Sequence, residues 1–294
     1  MRLSFVTQTT VRPGENRHTA GMTIHPFDQA LQLTPTEPGA YTGASSSAYW
    51  NMVGPFGGTT AATALNAVLQ HPALLGEPLS LTVNYAGPVA AGAFTVSATP
   101  LRTNRSTQHW VVTLSQANAV GVAEVMLTAT AITAARRATW SAVDAAMPQV
   151  PRPENLVSGR LMSNMAWINN YDMRFVQGSL PVHWDGSGDD SLSQLWVRDN
   201  PPRALDFCAL ASLADVFYPR VYLRRALRVP AGTVSMTVYF HASGEQLAQS
   251  GTGFLLGQAR AQAFSNGFFD QTAQLWNEAG ALLATSHQIV YFKE

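Results

Sequence analysis

One acid stands out as a residue that could do chemistry. Asp215 ends the run RALDFCALASLADVF, whose only acids are Asp206 and Asp215. Burial penalises the charged form of a carboxylate, so an acid in an apolar helix is hydrogen-bonded, in use, or simply touching solvent near the helix end. The helix dipole disfavours a carboxylate at a C-terminus, which weighs against that last reading. Asp206, in the first turn, reads as a cap or dipole partner. Gln288, on the apolar final run ALLATSHQIVYF, needs partners for its amide if buried. General base chemistry is what Asp215 could supply. The other reactive groups do not assemble. There is no Gly-x-Ser-x-Gly elbow, and Cys208 lies in the apolar run with no adjacent base, the pattern of an inert buried thiol. His18, His25, His71, His109, His183, His241 and His287 lack metal-ligand spacing, so no metal is expected.

These residues need elements to hold them. GPFGGTTAATALNAVLQHPALLG (Gly54 to Gly76) has helical periodicity and no acid, and FGGTTAATALNAVL has no charge at all, the pattern of a buried helix. LSLTVNYAGPV, AFTVSATPL, HWVVTLSQ and VGVAEVMLTATAI follow, alternating and β-branched, and read as antiparallel strands. FDQALQLTP and GAYTGASS upstream read as two more. From Arg136 to about Gly159 the pattern dissolves into a proline-rich connection, and then the same order of strand, helix and strands returns. LSLTVNYAG (Leu79 to Gly87) matches VSMTVYFHA (Val234 to Ala242) at an offset of 155, and NAVGVA (Asn118 to Ala123) matches NEAGAL (Asn277 to Leu282) at 159. Both fall at the same step of the strand order, so the chain reads as an internal duplication. Residues 1–135 form the first unit, 136–160 the linker and 161–294 the second. A helix followed by a long antiparallel sheet implies a sheet curled around the helix, twice over.

Composition narrows the class. The 294 residues carry 18 basic and 18 acidic side chains, and only 12% are charged, so neither disorder nor phosphate-driven nucleic-acid binding is expected. No segment reaches the ~18 apolar residues of a membrane span, and MRLSFVTQTTVRPGENR lacks the apolar stretch of a secretory signal. These features predict a cytoplasmic, heavily buried protein that associates into homo-oligomers.

The residues from about Trp50 to Phe292 resemble the acyl-CoA thioesterase II family. The resemblance rests on GPFGG opening the first helix and LRTNRSTQHW. In the second half it rests on YDMRFV, LWVRD, LASLADV, an aromatic-Phe-His strand end and ALLATSHQ. It implies an α+β double hotdog, two antiparallel sheets each wrapped around a long central helix, with the catalytic residues in the C-terminal hotdog. The family's aspartate, threonine and glutamine fall on Asp215, Thr233 and Gln288. The sequence departs from the family at Ile289-Val290, where Glu-Gly is usual, at Ala86-Gly87-Pro88, and by an insertion at Ala242 to Gly253.

The implied activity is hydrolysis of acyl-CoA to acid and CoA without metal or organic cofactor, with Asp215 deprotonating a water that Thr233 and Gln288 hold. Gly57 and Gly58 would offer helix-terminal amides to the developing oxyanion, or serve only tight packing. Arg102 and Arg105 are candidates to grip CoA phosphates, as are Arg220, Arg224, Arg225 and Arg228; ordinary solvated arginines are the alternative. The first-half counterparts of the trio, roughly Ala67, Pro78 and Ala129, cannot activate water, so one site per chain is expected. The rival readings are a non-catalytic acyl-binding protein and a thioesterase for carrier-protein thioesters.

Overall fold

A computed structural model describes residues 24–159 and 165–294. The leader expectation, read on residues 1–17, lies outside the described residues, as do His18, residue 160 of the linker and residues 161–164 of the second unit.

The elements run α1 (Pro26–Ala30), β1 (Thr34–Glu37), β2 (Ala40–Ala44), α2 (Gly57–Leu69), β3 (Glu77–Tyr85), β4 (Ala93–Thr103), β5 (Thr107–Ala117) and β6 (Ala123–Ala134). After the linker come β7 (Tyr171–Gln177), β8 (Ser193–Asp199), α3 (Phe207–Leu213), α4 (Arg220–Arg225), β9 (Ala231–Phe240), α5 (Gly244–Ser250), β10 (Leu255–Arg260), β11 (Phe264–Ser265), β12 (Phe268–Asn277) and β13 (Leu282–Phe292). In α2, ten of thirteen residues are buried, mostly Ala and Thr. Two of its three buried threonine hydroxyls bond back along the chain, Thr60 donating to Phe56 O at 3.1 Å and Thr63 to Thr59 O at 3.0 Å, while the Thr59 hydroxyl has no partner among the described residues.

The strands are ordered β1-β2-β4-β5-β6-β3-β9-β13-β12-β10-β8-β7, with β11 on β12. The order reads alike outward from the centre in both directions, as a duplication requires. At the centre β3 and β9 pair antiparallel, Leu81 opposite Val238 and Thr82 opposite Thr237, and the two threonine hydroxyls meet at 3.0 Å. These threonines are the residues related by the offset of 155, so the pseudo-twofold axis passes between them.

Three expectations change. The sheet is one continuous 13-stranded sheet rather than two, because the innermost strands of the halves hydrogen-bond to each other and leave no free edge. The second helix is short: α3 spans seven residues, and the chain turns at Ala214 and Asp215 before Pro219 caps α4. FDQALQLTP is a strand only at its end, where Thr34 and Pro35 enter β1; Pro26 at the first helical position and the His25 ring accepting from Phe27 N–H start α1 before it.

The linker does more than connect. Trp196, Phe254, Leu256 and Trp276 form a cluster separate from the main core, on the sheet face opposite Leu195, Leu255 and Leu275. Linker residues Met147, Val150 and Leu156 cover it, and the two indoles donate to Pro151 O at 2.8 Å and Ala145 O at 3.3 Å. The segment Ala242 to Gly253 forms α5, closed by a Ser243–Gln246 capping box and seated by buried Leu247.

Candidate active site

A cavity of about 530 Å³ opens between the halves, lined by Phe56, Gly57, Thr60, Tyr85 and Met126 from the first and by Asp215, Phe217, Tyr222, Thr233, Gln271, Gln288 and Val290 from the second. No residue of Ala242 to Gly253 lines it, so that segment does not shape this cavity. A larger groove of about 1040 Å³ lies elsewhere on the surface. Its arginines Arg224, Arg225 and Arg260 face acids Asp189, Asp190 and Glu294, and it contains none of the residues singled out for water activation.

Asp215 follows the last turn of α3, its N–H donating to Ser212 O at 3.1 Å. Its carboxylate points at the start of α2. Gly58 N–H donates to the carboxylate, and Gln288 Nε2 donates to Oδ1 at 2.9 Å. The relevant dipole is therefore that of α2, whose positive end stabilises an anion, and not that of Asp215's own helix. Desolvation works the other way and is the larger effect: it raises the Asp215 pKa to about 7 against those two hydrogen bonds. The residue keeps part of its surface open to the cavity.

Gln288 extends the chain of contacts. It faces inward from β13, buried, and its Oε1 accepts from Thr233 Oγ1 at 3.2 Å, while Nε2 also reaches Met236 Sδ at 3.5 Å. Strict alternation along β9 from inward-facing Met236 and Val238 would turn Thr233 outward. A bulge prevents this: Ile289 pairs with Ser235 but Val290 pairs with Thr233, and Val234 is left over and exposed. The extra residue re-aims Thr233 into the cavity beside Gln288.

Gly57 and Gly58 do different jobs. Gly58 is committed to Asp215, and a Cβ there would stand 2.6 Å from Ser212 O, which keeps α2 tight against α3. Gly57 lines the cavity, and among the described residues its N–H has no backbone partner, as expected for the first position of a helix. A Cβ on Gly57 would lie 2.8 Å from Asp215 Oδ2. Tyr85, which no motif marked, closes this corner: its hydroxyl donates to Gly57 O at 2.9 Å, and burial and the charge of Asp215 hold its pKa well up.

The arginine expectations separate from the site. Arg102 is exposed and donates to Asn104 Oδ1 at 2.9 Å, Arg105 lies in the exposed turn after β4, and neither lines the cavity. Arg220 is fully buried and spends its guanidinium on Tyr218 O, Ser191 O and Ser193 Oγ, so it is unavailable to a phosphate. Arg225 pairs with Glu294, and Arg228 stacks on Trp184 at 4.6 Å. Cys208 is buried and its pKa is pushed well up by desolvation, the opposite of an activated nucleophile.

Comparison with known proteins bears on the family and the fold. The family model described as "Acyl-CoA thioesterase N-terminal domain" matches residues 46–134, and "Acyl-CoA thioesterase C-terminal domain" matches residues 135–292. A conserved protein of unknown function with a hot dog fold from Alicyclobacillus acidocaldarius is 45% identical, with a TM-score of 0.86 over 92% of this chain and 99% of that one. A putative thioesterase II from Thermobifida fusca YX has a TM-score of 0.76 at 20% identity, over 91% of this chain and 97% of that one. An acyl-CoA thioesterase II, TesB2, from Mycobacterium marinum reaches 0.69 at 19% identity, over 91% and 98%. At 20% and 19% identity the likeness speaks for the fold. None of the proteins with curated descriptions matches the chain.

Proposed function

The chain belongs to the acyl-CoA thioesterase family, and from that premise we propose that it hydrolyses acyl-CoA to a free carboxylic acid and CoA, with Asp215 as general base. The observation that carries this reading is the hydrogen-bonded run Thr233, Gln288, Asp215 opening onto a cavity beside the start of α2.

Asp215 takes a proton from a water held against it and Thr233, and the water oxygen attacks the thioester carbonyl. Negative charge then develops on the carbonyl oxygen, where Gly57 N–H and the positive end of α2 stabilise it. Collapse of the tetrahedral species breaks the carbon–sulfur bond, and the Asp215 carboxyl returns its proton to the departing CoA sulfur. A carboxylate with a pKa of about 7 suits both halves of that exchange near neutral pH, being basic enough to accept and acidic enough to give back. Gln288 holds Asp215 Oδ1 and keeps the other oxygen turned to the cavity. Gly57 lines the cavity, so of the two glycines it is the one offered to the oxyanion.

The reading extends to association. Val234, Tyr239, Phe268, Ile289 and Tyr291 are exposed on β9, β12 and β13, and this apolar surface supports homo-oligomers. The test is thiol release from straight-chain acyl-CoAs of graded length. Asp215→Asn is expected to lower kcat/KM by about 10²- to 10⁴-fold with an unchanged circular dichroism spectrum. Unchanged turnover would overturn the assignment, and binding of acyl-CoA without release by the wild-type protein would establish the non-catalytic alternative.

A further inference from the structure

A second amide faces the cavity and takes no part in the chemistry above. Gln271 on β12 stands opposite Gln288 on β13, on the same inward face, and on the far side of β13 from Thr233. Its neighbours on that face are Phe269, Ala273 and Leu275, so an apolar residue would be the ordinary occupant. Gln271 is 2% exposed, lines the cavity, and its side chain makes no hydrogen bond among the described residues. An amide that faces a cavity with no protein partner keeps its donors and acceptor for whatever fills that cavity. Tyr218 lines the same cavity, and its hydroxyl is buried without a partner.

The position says which part of a thioester would meet Gln271. Of the second-half lining, Phe217, Tyr218 and Val290 are all at 7% exposure or less and Tyr291 is at 38%, whereas Met52 and Val53 of the first half are 60% and 73% exposed and mark the wider opening. The long CoA arm must leave through an exposed edge, which puts the acyl group at the closed one. Neighbouring strands lie ~4.8 Å apart, and Gln288 already touches Asp215, so Gln271 meets the acyl chain within a few carbons of the reacting carbonyl.

We propose, resting on the thioesterase reading, that Gln271 selects acyl groups bearing a hydroxyl or oxo oxygen close to the thioester over plain alkyl chains. The oxygen would fill the amide's empty hydrogen-bonding position, and an unsubstituted chain would leave it empty. The experiment compares kcat/KM for 3-hydroxyacyl-, 3-oxoacyl- and unsubstituted acyl-CoAs of equal chain length in the wild-type protein and in Gln271→Met, which keeps the bulk and removes the amide. One buried hydrogen bond corresponds to a preference of about tenfold for an oxygenated chain in the wild type, falling to about one in the variant. A wild-type ratio of one or less overturns the proposal whether or not the variant folds, and so does a ratio that Gln271→Met leaves unchanged. If no CoA thioester turns over, the thioesterase reading fails separately, and the ratio of dissociation constants for the same pairs, measured by calorimetry, decides the selectivity by the same criteria.

Discussion

Gly57→Ala tests the geometry of the site with the least disturbance to the fold. Gly57 is the first residue of α2 and has an ordinary backbone conformation, so alanine meets no conformational penalty and is the better helix former. The added Cβ would stand 2.8 Å from Asp215 Oδ2 and 3.4 Å from the Tyr85 hydroxyl. Ordinary contact begins near 3.4 Å, so the carboxylate must retreat by about 0.6 Å, away from the place where water and the thioester carbonyl have to meet. Displacements on the order of 1 Å in a reacting pair cost about 10²-fold, and this one predicts a loss of about 10- to 100-fold in kcat/KM. The same variant should unfold at the wild-type temperature or slightly above it. Thiol release followed across pH 5 to 9 together with a thermal melt separates the two effects. Wild-type kcat/KM in a normally melting Gly57→Ala protein would refute the placement of Asp215 against α2.

Thr233→Val removes the hydroxyl that donates to Gln288 Oε1 while keeping the shape of the side chain; kcat is expected to fall about tenfold, one hydrogen bond's worth, with Thr233→Ser restoring most of it in the same assay. Asp199 is buried, its Oδ1 has no partner, and desolvation raises its pKa to about 7 despite nearby Arg203. A carboxyl raised in the folded state favours folding below its unfolded pKa and loses that contribution as pH rises toward 7. The difference from the ordinary 3.8 corresponds to about 4 kcal/mol, so urea unfolding should show Asp199→Asn gaining on the wild type by up to that amount between pH 4 and pH 8. Equal pH dependence in the two proteins would contradict it. Trp276→Ala empties the pocket beneath the linker, and urea unfolding should show a loss of about 3 to 5 kcal/mol with the linker becoming more susceptible to protease.

Much of this arrangement was legible in the residues because the physics was local. The charge-free α2, the alternating strands and the threonine pair at an offset of 155 each follow from short-range pattern, and Asp215 stood out because acids are so scarce around it. Other features depend on partners distant in sequence. Nothing in LSLTVNY or VSMTVYF says that these two strands pair with each other and fuse the halves into one sheet. The bulge at Val234 is invisible without the β13 register, yet it alone turns Thr233 inward. Gln271 shows the subtler miss: DQTAQLWN alternates like any strand, and only the inward phase set by Phe269 and Leu275 marks that glutamine as buried. The arginines could not be placed for the reverse reason. Arg102 lies at the end of β4 and Arg105 in the turn after it, a place relative to the cavity that no local pattern encodes, and Arg220 is spent on holding α4 against β8.

The claim at the centre of this account is that Asp215 is the base, poised by burial against the start of α2. It is tested most directly by the pH dependence of kcat/KM for acyl-CoA hydrolysis. Because the base works deprotonated, the account predicts activity rising with pH through a midpoint of about 7, and Asp215→Asn reduced to a residual rate without that limb. A rising limb near pH 4, or one near 7 that persists in Asp215→Asn, would contradict it.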